Sequence, residues 1–225
     1  MNHRHHPELP TATWRDAGGP PFRLTPAHAG VLLGTNRAGR AVTLPAGPAP
    51  TRIAVLGESL FGRLFGLRML AVGARVTAAT RVPDEWQGIA RVAGDRLTVA
   101  DSAAGWPTRP PAPPTGEGGP QALVCDLRRP PPAILASGAW RTVLHVTRDA
   151  PSRSFFWSAP DALLALDARF ADAAGRVLGT EAARLTAALT PGEIILFRPS
   201  GTEILRPDIS PAETALLTPG LAVTR

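Results

Sequence analysis

Two short apolar runs, Val31–Leu33 and Ala41–Leu44, flank the turn-forming run Gly34-Thr-Asn-Arg-Ala-Gly-Arg40. That pattern predicts a β-hairpin. After the stiff Pro45–Pro50 spacer the pattern changes. Arg52–Leu56 reads as a buried-type strand ending at Gly57, and Ser59–Val72 as a helix that Gly73 stops. Arg75–Thr80 and Leu97–Ala100 are further buried-type strands, with a short helix from Pro83 to about Val92 between them. Strand, helix, strand, helix, strand in this order predicts a parallel sheet covered by helices.

Downstream, Ala122–Cys125 and Thr142–Thr147 read as two more buried strands. Ala159–Leu166 and Thr180–Leu189 read as helices. Glu193–Phe197 and Thr202–Leu205, joined by Arg198-Pro-Ser-Gly201, predict a second hairpin, and Pro211–Leu217 a short last helix. The expected fold is α/β: a mostly parallel, Rossmann-like or P-loop-like sheet with helices on both faces and a β-hairpin near each end. Residues 1–29, without sustained period, are expected to form a flexible arm ahead of a single domain at 30–225, with 106–120 as a Pro/Gly-rich loop.

Composition narrows the chemistry. The chain has 225 residues and 44% hydrophobic content, enough for a core. It contains neither lysine nor tyrosine, so all 24 basic residues are arginine. This excludes Schiff-base chemistry, a P-loop lysine and a Tyr/Lys reductase pair. One cysteine, Cys125, excludes an intrachain disulfide and a multi-cysteine zinc site. The net charge is +6, but the arginines are scattered and aromatics are only 5%, which argues against a nucleic-acid groove. The most apolar stretch, Ile53 to Ala74, carries Glu58, Arg63 and Arg68. No membrane span is therefore expected, no export signal is read, and the expected location is the cytoplasm. His3, His5 and His6 are read as part of a solvated tail rather than a metal site.

The turn after Arg52–Leu56 stands where a phosphate-binding loop is built, with backbone N–H groups and a helix start facing an anion. Two motifs compete for it. A dinucleotide fingerprint would use Gly57, Ser59 and Gly62, with serine replacing the middle glycine. A Walker A loop would run from Gly57 to Gly62, but the lysine is Arg63 and the metal-holding hydroxyl residue is Leu64. A third reading is a tight turn whose glycines serve packing. Asp126 ends an apolar strand in the manner of a Walker B aspartate, yet Leu127 stands where a glutamate often follows. Arg148, with Arg153 and Arg128-Arg129, suggests an anion site or solvated salt bridges. His145 and Cys125 are read as interior residues. Phe155-Phe156-Trp157 is the candidate interaction cluster, as a plug over the sheet edge or an exposed partner site.

In order along residues 31–217, these elements resemble the FtsK/SpoIIIE/HerA-type translocase ATPases, which include the EccC motor of type VII secretion. Gly34-Thr-Asn-Arg-Ala-Gly-Arg-Ala-Val42 is similar to the family's hairpin before Walker A. His145-Val-Thr-Arg-Asp-Ala-Pro151 resembles its Ala-Thr-Gln-Arg-Pro strand end. Leu189-Thr-Pro-Gly192-Glu193, running into Ile194–Phe197 and Ser200–Leu205, looks like its C-terminal hairpin. The layout also resembles small actinobacterial proteins associated with type VII secretion loci. No motif is intact, so the resemblance implies a degenerate, non-catalytic P-loop-like accessory protein. No cofactor is expected beyond vestigial nucleotide binding around Gly57, Ser59, Gly62, Arg63, Asp126 and Arg148, and the expected partner is a secretion or translocase protein. The alternative is a Rossmann-type enzyme that binds NADP or S-adenosylmethionine at the Gly57–Gly62 turn.

Overall fold

The computed structural model of the chain describes residues 30–114, 118–149 and 154–218. The predicted N-terminal arm and Arg153 lie outside the described residues. Among the described residues, ten strands form one open sheet. They are β1 (Gly30–Asn36), β2 (Ala41–Pro45), β3 (Thr51–Leu56), β4 (Arg75–Thr80), β5 (Leu97–Ala100), β6 (Gln121–Asp126), β7 (Arg141–Thr147), β8 (Ala162–Ala165), β9 (Ile194–Arg198) and β10 (Gly201–Pro207). The helices are α1 (Ser59–Ala71), α2 (Gln87–Ala93), α3 (Phe155–Ser158), α4 (Ala171–Leu178), α5 (Thr180–Ala187) and α6 (Pro211–Leu217).

The spatial order is β2-β1-β10-β9-β8-β3-β7-β6-β4-β5. From β8 to β5 all neighbours are parallel. From β8 to β2 all are antiparallel. The α/β fold expected from the chain pattern is the fold observed. The central strands read as unbroken apolar runs because both their faces are covered. In β3, Ile53 and Val55 face the cluster formed with α1, α2 and α6, while Ala54 and Leu56 face the cluster formed with α3, α4 and α5.

One predicted element is corrected. Ala159–Leu166 was expected to be helical, but its centre is the strand β8, lying between β3 and β9 with all four residues buried. A short apolar run carries no period of its own, so tertiary pairing decided it. Helix α4, which the pattern did not predict, follows directly, and Gly179 at φ 96° breaks it from α5.

The two hairpins lie side by side, because β1 pairs with β10. Gly34 is needed there: a Cβ on it would stand 1.9 Å from the Arg206 carbonyl oxygen of β10. Polar side chains lock the contact. Asn36 Oδ1 closes the first turn by accepting from the Ala38 and Arg40 amides, and its amide group reaches Glu203. The Arg37 guanidinium grips the buried Glu193 carboxylate with two bonds of 2.8 and 2.7 Å. That fork, with the Thr190 amide, pulls the Glu193 carboxyl down to about 2. Its contribution is complete above the ordinary 4.5 and is lost as pH falls towards 2.

Arg68 fastens α1 to this extension. The β1–β2 register shifts between Leu32 and Gly34, and the irregularity leaves carbonyls turned to the helix. Arg68 Nη1 donates to the Leu32 and Leu33 oxygens at 2.5 and 3.3 Å. Nη2 donates to the Asp208 carbonyl, and Nε and Nη2 both reach Glu213. Glu213 also closes a capping box with Ser210 that starts α6.

Replacing Arg68 by Met keeps the apolar stem but strands several acceptors and one carboxylate. The expected loss is about 3 kcal/mol of unfolding free energy in urea. A loss below about 0.5 kcal/mol would mean that water replaces the guanidinium at no cost.

Candidate functional site

The junction of β3 with α1 is two residues long, Gly57 and Glu58. Ser59 is already the first residue of the helix, so Ser59, Leu60, Phe61 and Gly62 of the glycine window are helical rather than looped. The Gly57 N–H donates to the Thr147 carbonyl at 2.9 Å, and the Phe61 N–H to the Glu58 carbonyl at 3.0 Å. A Cβ on Gly57 would stand 2.1 Å from Leu166 Cδ1, so the Leu166 side chain closes over this backbone. Gly62 faces Val124 and Val146, at 3.1 Å from where its Cβ would lie, and Gly66 faces the Trp86 ring. Each of these glycines has a packing role: they let α1 sit close on β6, β7 and the buried Trp86.

The polar residues of the window point to different places. Ser59 Oγ donates to Asp126 Oδ1 at 2.9 Å, and Thr80 Oγ1 reaches the other carboxylate oxygen at 3.5 Å. Ser59 and Asp126, singled out separately in the sequence, therefore meet at the carboxyl ends of β3, β4 and β6. Arg63 turns elsewhere. Its Nη1 pairs with Glu85 at 2.6 Å and with the Glu85 carbonyl, which ties α1 to the 3-10 turn Pro83–Trp86. Leu64, at the position of a metal-holding hydroxyl, is buried in the core.

Glu58 is the charged group at the mouth. Its two carboxylate oxygens bind Arg148 Nε and Arg169 Nη2, each at 2.5 Å. These residues, with Phe170, Asp172, Ala173 and Arg176, line a cleft of about 450 Å³ outside the carboxyl ends of β3, β7 and β8. Sequence reasoning picked Arg148 and passed over Glu58, Arg169 and Arg176. Glu58, directly after Gly57 and with the charge of the expected ligand, is the available signal. Arg169 and Arg176 carry none, because the pattern predicts a helix over 159–166 and no element for the segment after it. Arg128 and Arg129 are exposed and do not line the cleft.

The aromatic cluster divides. Phe156 and Trp157 are buried, while Phe155 is 86% exposed. Trp157 Nε1 donates to His145 Nδ1 at 2.9 Å, and His145 Nε2 lies 2.9 Å from the Leu127 carbonyl. The partners assign the tautomer: Nδ1 accepts and Nε2–H donates. Phe156 and Trp157 both meet the imidazole edge-on. Burial lowers the His145 pKa, against a weaker opposing effect of the Leu127 carbonyl. Burial likewise pushes the Cys125 thiol up to about 12, far from a nucleophilic thiolate. No group of three or more metal-ligating side chains is found among the described residues, and none of their helices is long and apolar enough to cross a membrane.

No family model and no curated protein sequence matches the chain. Among solved structures it is similar to the genome packaging NTPase B204 from Sulfolobus turreted icosahedral virus 2. With the sulfate complex the identity is 11% and the TM-score 0.49, over 72% of this chain and 98% of that one. With the AMPPCP complex the values are 9% and 0.48, over 71% and 99%. It is also similar to the cytoplasmic domain of the type VII secretion ATPase EccC from Thermomonospora curvata. There the identity is 11% and the TM-score 0.47, over 87% of this chain but 30% of that one. Likenesses at this level carry no functional argument, so the site has to speak through its own geometry.

Protonating His145 would set two donors, Trp157 Nε1–H and Nδ1–H, against each other. The native protein therefore holds the ring neutral while the unfolded chain titrates near the ordinary 6.5. The stabilisation is complete above 6.5 and declines as pH falls towards the lowered native pKa. In urea unfolding, the stability advantage over His145→Gln is expected to shrink by about 1 kcal/mol between pH 7.5 and 5.5. A constant advantage would contradict the assignment.

Proposed function

We propose that the chain is a non-catalytic accessory or scaffold protein of P-loop-like layout that docks on a larger assembly, with residues 30–225 working as one α/β unit. The observation that carries the reading is the β3–α1 junction. A phosphate needs an open loop of free amides and room above the backbone. Here the helix begins two residues after the strand, the Gly57 amide is bonded to Thr147, and Leu166 stands over Gly57. The side chain at the lysine position, Arg63, is held by Glu85, and the one at the hydroxyl position is the buried Leu64. The same closure argues against a dinucleotide or S-adenosylmethionine at this turn.

The assembly named first is an FtsK/EccC-type translocase motor, on the strength of the segments at 34–42, 145–151 and 189–205 that resemble that family. Binding is by shape, through the paired hairpins and the exposed Phe155, and no cofactor takes part. The protein is assigned to the cytoplasm, and any membrane association comes through its partner.

The purified chain is expected to hydrolyse no ATP above a buffer blank, with or without Mg²⁺. A Mg²⁺-dependent rate that falls with Asp126→Asn would overturn the reading, because it would place a metal and a triphosphate beside the Ser59–Asp126 pair.

A further inference from the structure

The cleft beside Glu58 is built from three chain segments. Glu58 comes from the β3–α1 junction, Arg148 from the end of β7, and Arg169, Phe170, Asp172, Ala173 and Arg176 from the stretch after β8. Three guanidinium groups face two carboxylates. Arg169 also lies over the Phe170 ring, 4.8 Å from its centroid. Arg176, on α4, has no ion pair among the described residues.

The place is also the one where an open α/β sheet opens a crevice. Strand β3 leads into α1 on one face, while β7 leads through α3 on the other face to β8, back past β3. Connections that part to opposite faces leave a gap beyond the carboxyl ends of the strands, and ligands bind at such switch points. In this chain the gap is the 450 Å³ cleft, and what occupies its cationic wall is the protein's own carboxylate.

We propose that the cleft is a binding site for a small, multiply charged anion, either a phosphate compound or a polycarboxylate, and that Glu58 is the internal anion which such a ligand displaces from Arg148 and Arg169. Glu58, Arg148 and Arg169 are 43%, 65% and 56% exposed, so their pairs are hydrated and exchange readily for a better anion. A ligand with two or more charges holds both guanidinium groups and adds Arg176, which a single carboxylate does not do. This site is separate from the closed Gly57 backbone and requires neither Mg²⁺ nor a nucleoside.

The test is calorimetric titration of the whole chain with inorganic pyrophosphate and, separately, citrate, without Mg²⁺ or ATP. Glu58→Gln is expected to bind at least one of them about tenfold more tightly than the unsubstituted chain. Adding Arg176→Ala should cost at least about fivefold of that gain. Glu58 makes no side-chain cap to α1 and Arg176 is exposed, so both variants should keep the fold, which far-UV circular dichroism checks. Binding of pyrophosphate alone identifies a phosphate ligand, of citrate alone a carboxylate ligand, and of both a site that reads charge. No binding by Glu58→Gln, or binding indifferent to Arg176, would overturn the proposal. Because neither probe is a nucleotide, ATP hydrolysis by the chain would leave this result unaffected, and the reverse also holds.

Discussion

Everything near the site follows from how closely α1 lies on the sheet. Gly62 against Val124 and Val146, and Gly66 against Trp86, allow the helix axis to approach where any side chain would hold it off. With the helix that close, two residues suffice to join it to β3, and the junction closes. Leu166 then settles over Gly57, and Ser59 reaches Asp126 across the ends of the strands. The pattern that would announce a phosphate loop in a sequence is therefore the mark of a tight helix–sheet contact here. The same glycine spacing serves two opposite ends, and the difference lies in whether the backbone between the glycines is looped or helical.

A second set of constraints is polar and acts at a distance along the chain. The parallel block from β8 to β5 is held by apolar packing on both faces; the antiparallel extension from β9 to β2 shares that core through Val31, Leu33, Leu44 and Leu196 and is also fastened by arginines. Arg68 collects carbonyls from β1 and from the segment after β10, and Arg37 reaches from the first hairpin to Glu193 before β9. Such bonds contribute modestly on balance, yet leaving the buried acceptors unpaired costs more than forming the bonds gains. In a chain without lysine, this work falls to the planar fork of arginine, which satisfies two acceptors at once. Several of the scattered arginines are thus structural, each offset by a carboxylate.

Where a segment's fate was decided locally, the sequence was legible. β3, α1, the Gly73 stop, both hairpin turns and the capped α6 carry their own signals in apolar period, glycine and proline placement. Ala162–Ala165 does not, since a four-residue buried run fits a strand or a helix equally and only pairing with β3 and β9 settles it. Missing that strand hid only the segment up to α4, with Arg169 and Arg176, while α5, β9, β10 and α6 stand where the pattern predicts them. The site shows the same division. Gly57, Ser59, Asp126 and Arg148 all follow or end predicted strands, so from strand–helix alternation alone they could be placed at the carboxyl ends of the sheet. The direction of Arg63 could not, because it depends on Glu85, 22 residues away. Nor could the separation of Phe155 from Phe156 and Trp157, which rests on a histidine bonded inside the core.

The proposed function stands on the Gly57–Gly62 backbone being closed to nucleotide. The most direct measurement is amide NMR of the ¹⁵N-labelled chain titrated with ATP and Mg²⁺, read at Gly57, Ser59, Leu60 and Gly62. These amides are expected not to shift beyond the effect of ionic strength, and the Gly57 amide, bonded to the Thr147 carbonyl, to stay protected from solvent exchange. Saturable, Mg²⁺-dependent shifts centred on Gly57 and Gly62 would show that the junction opens to hold a phosphate, and would contradict it.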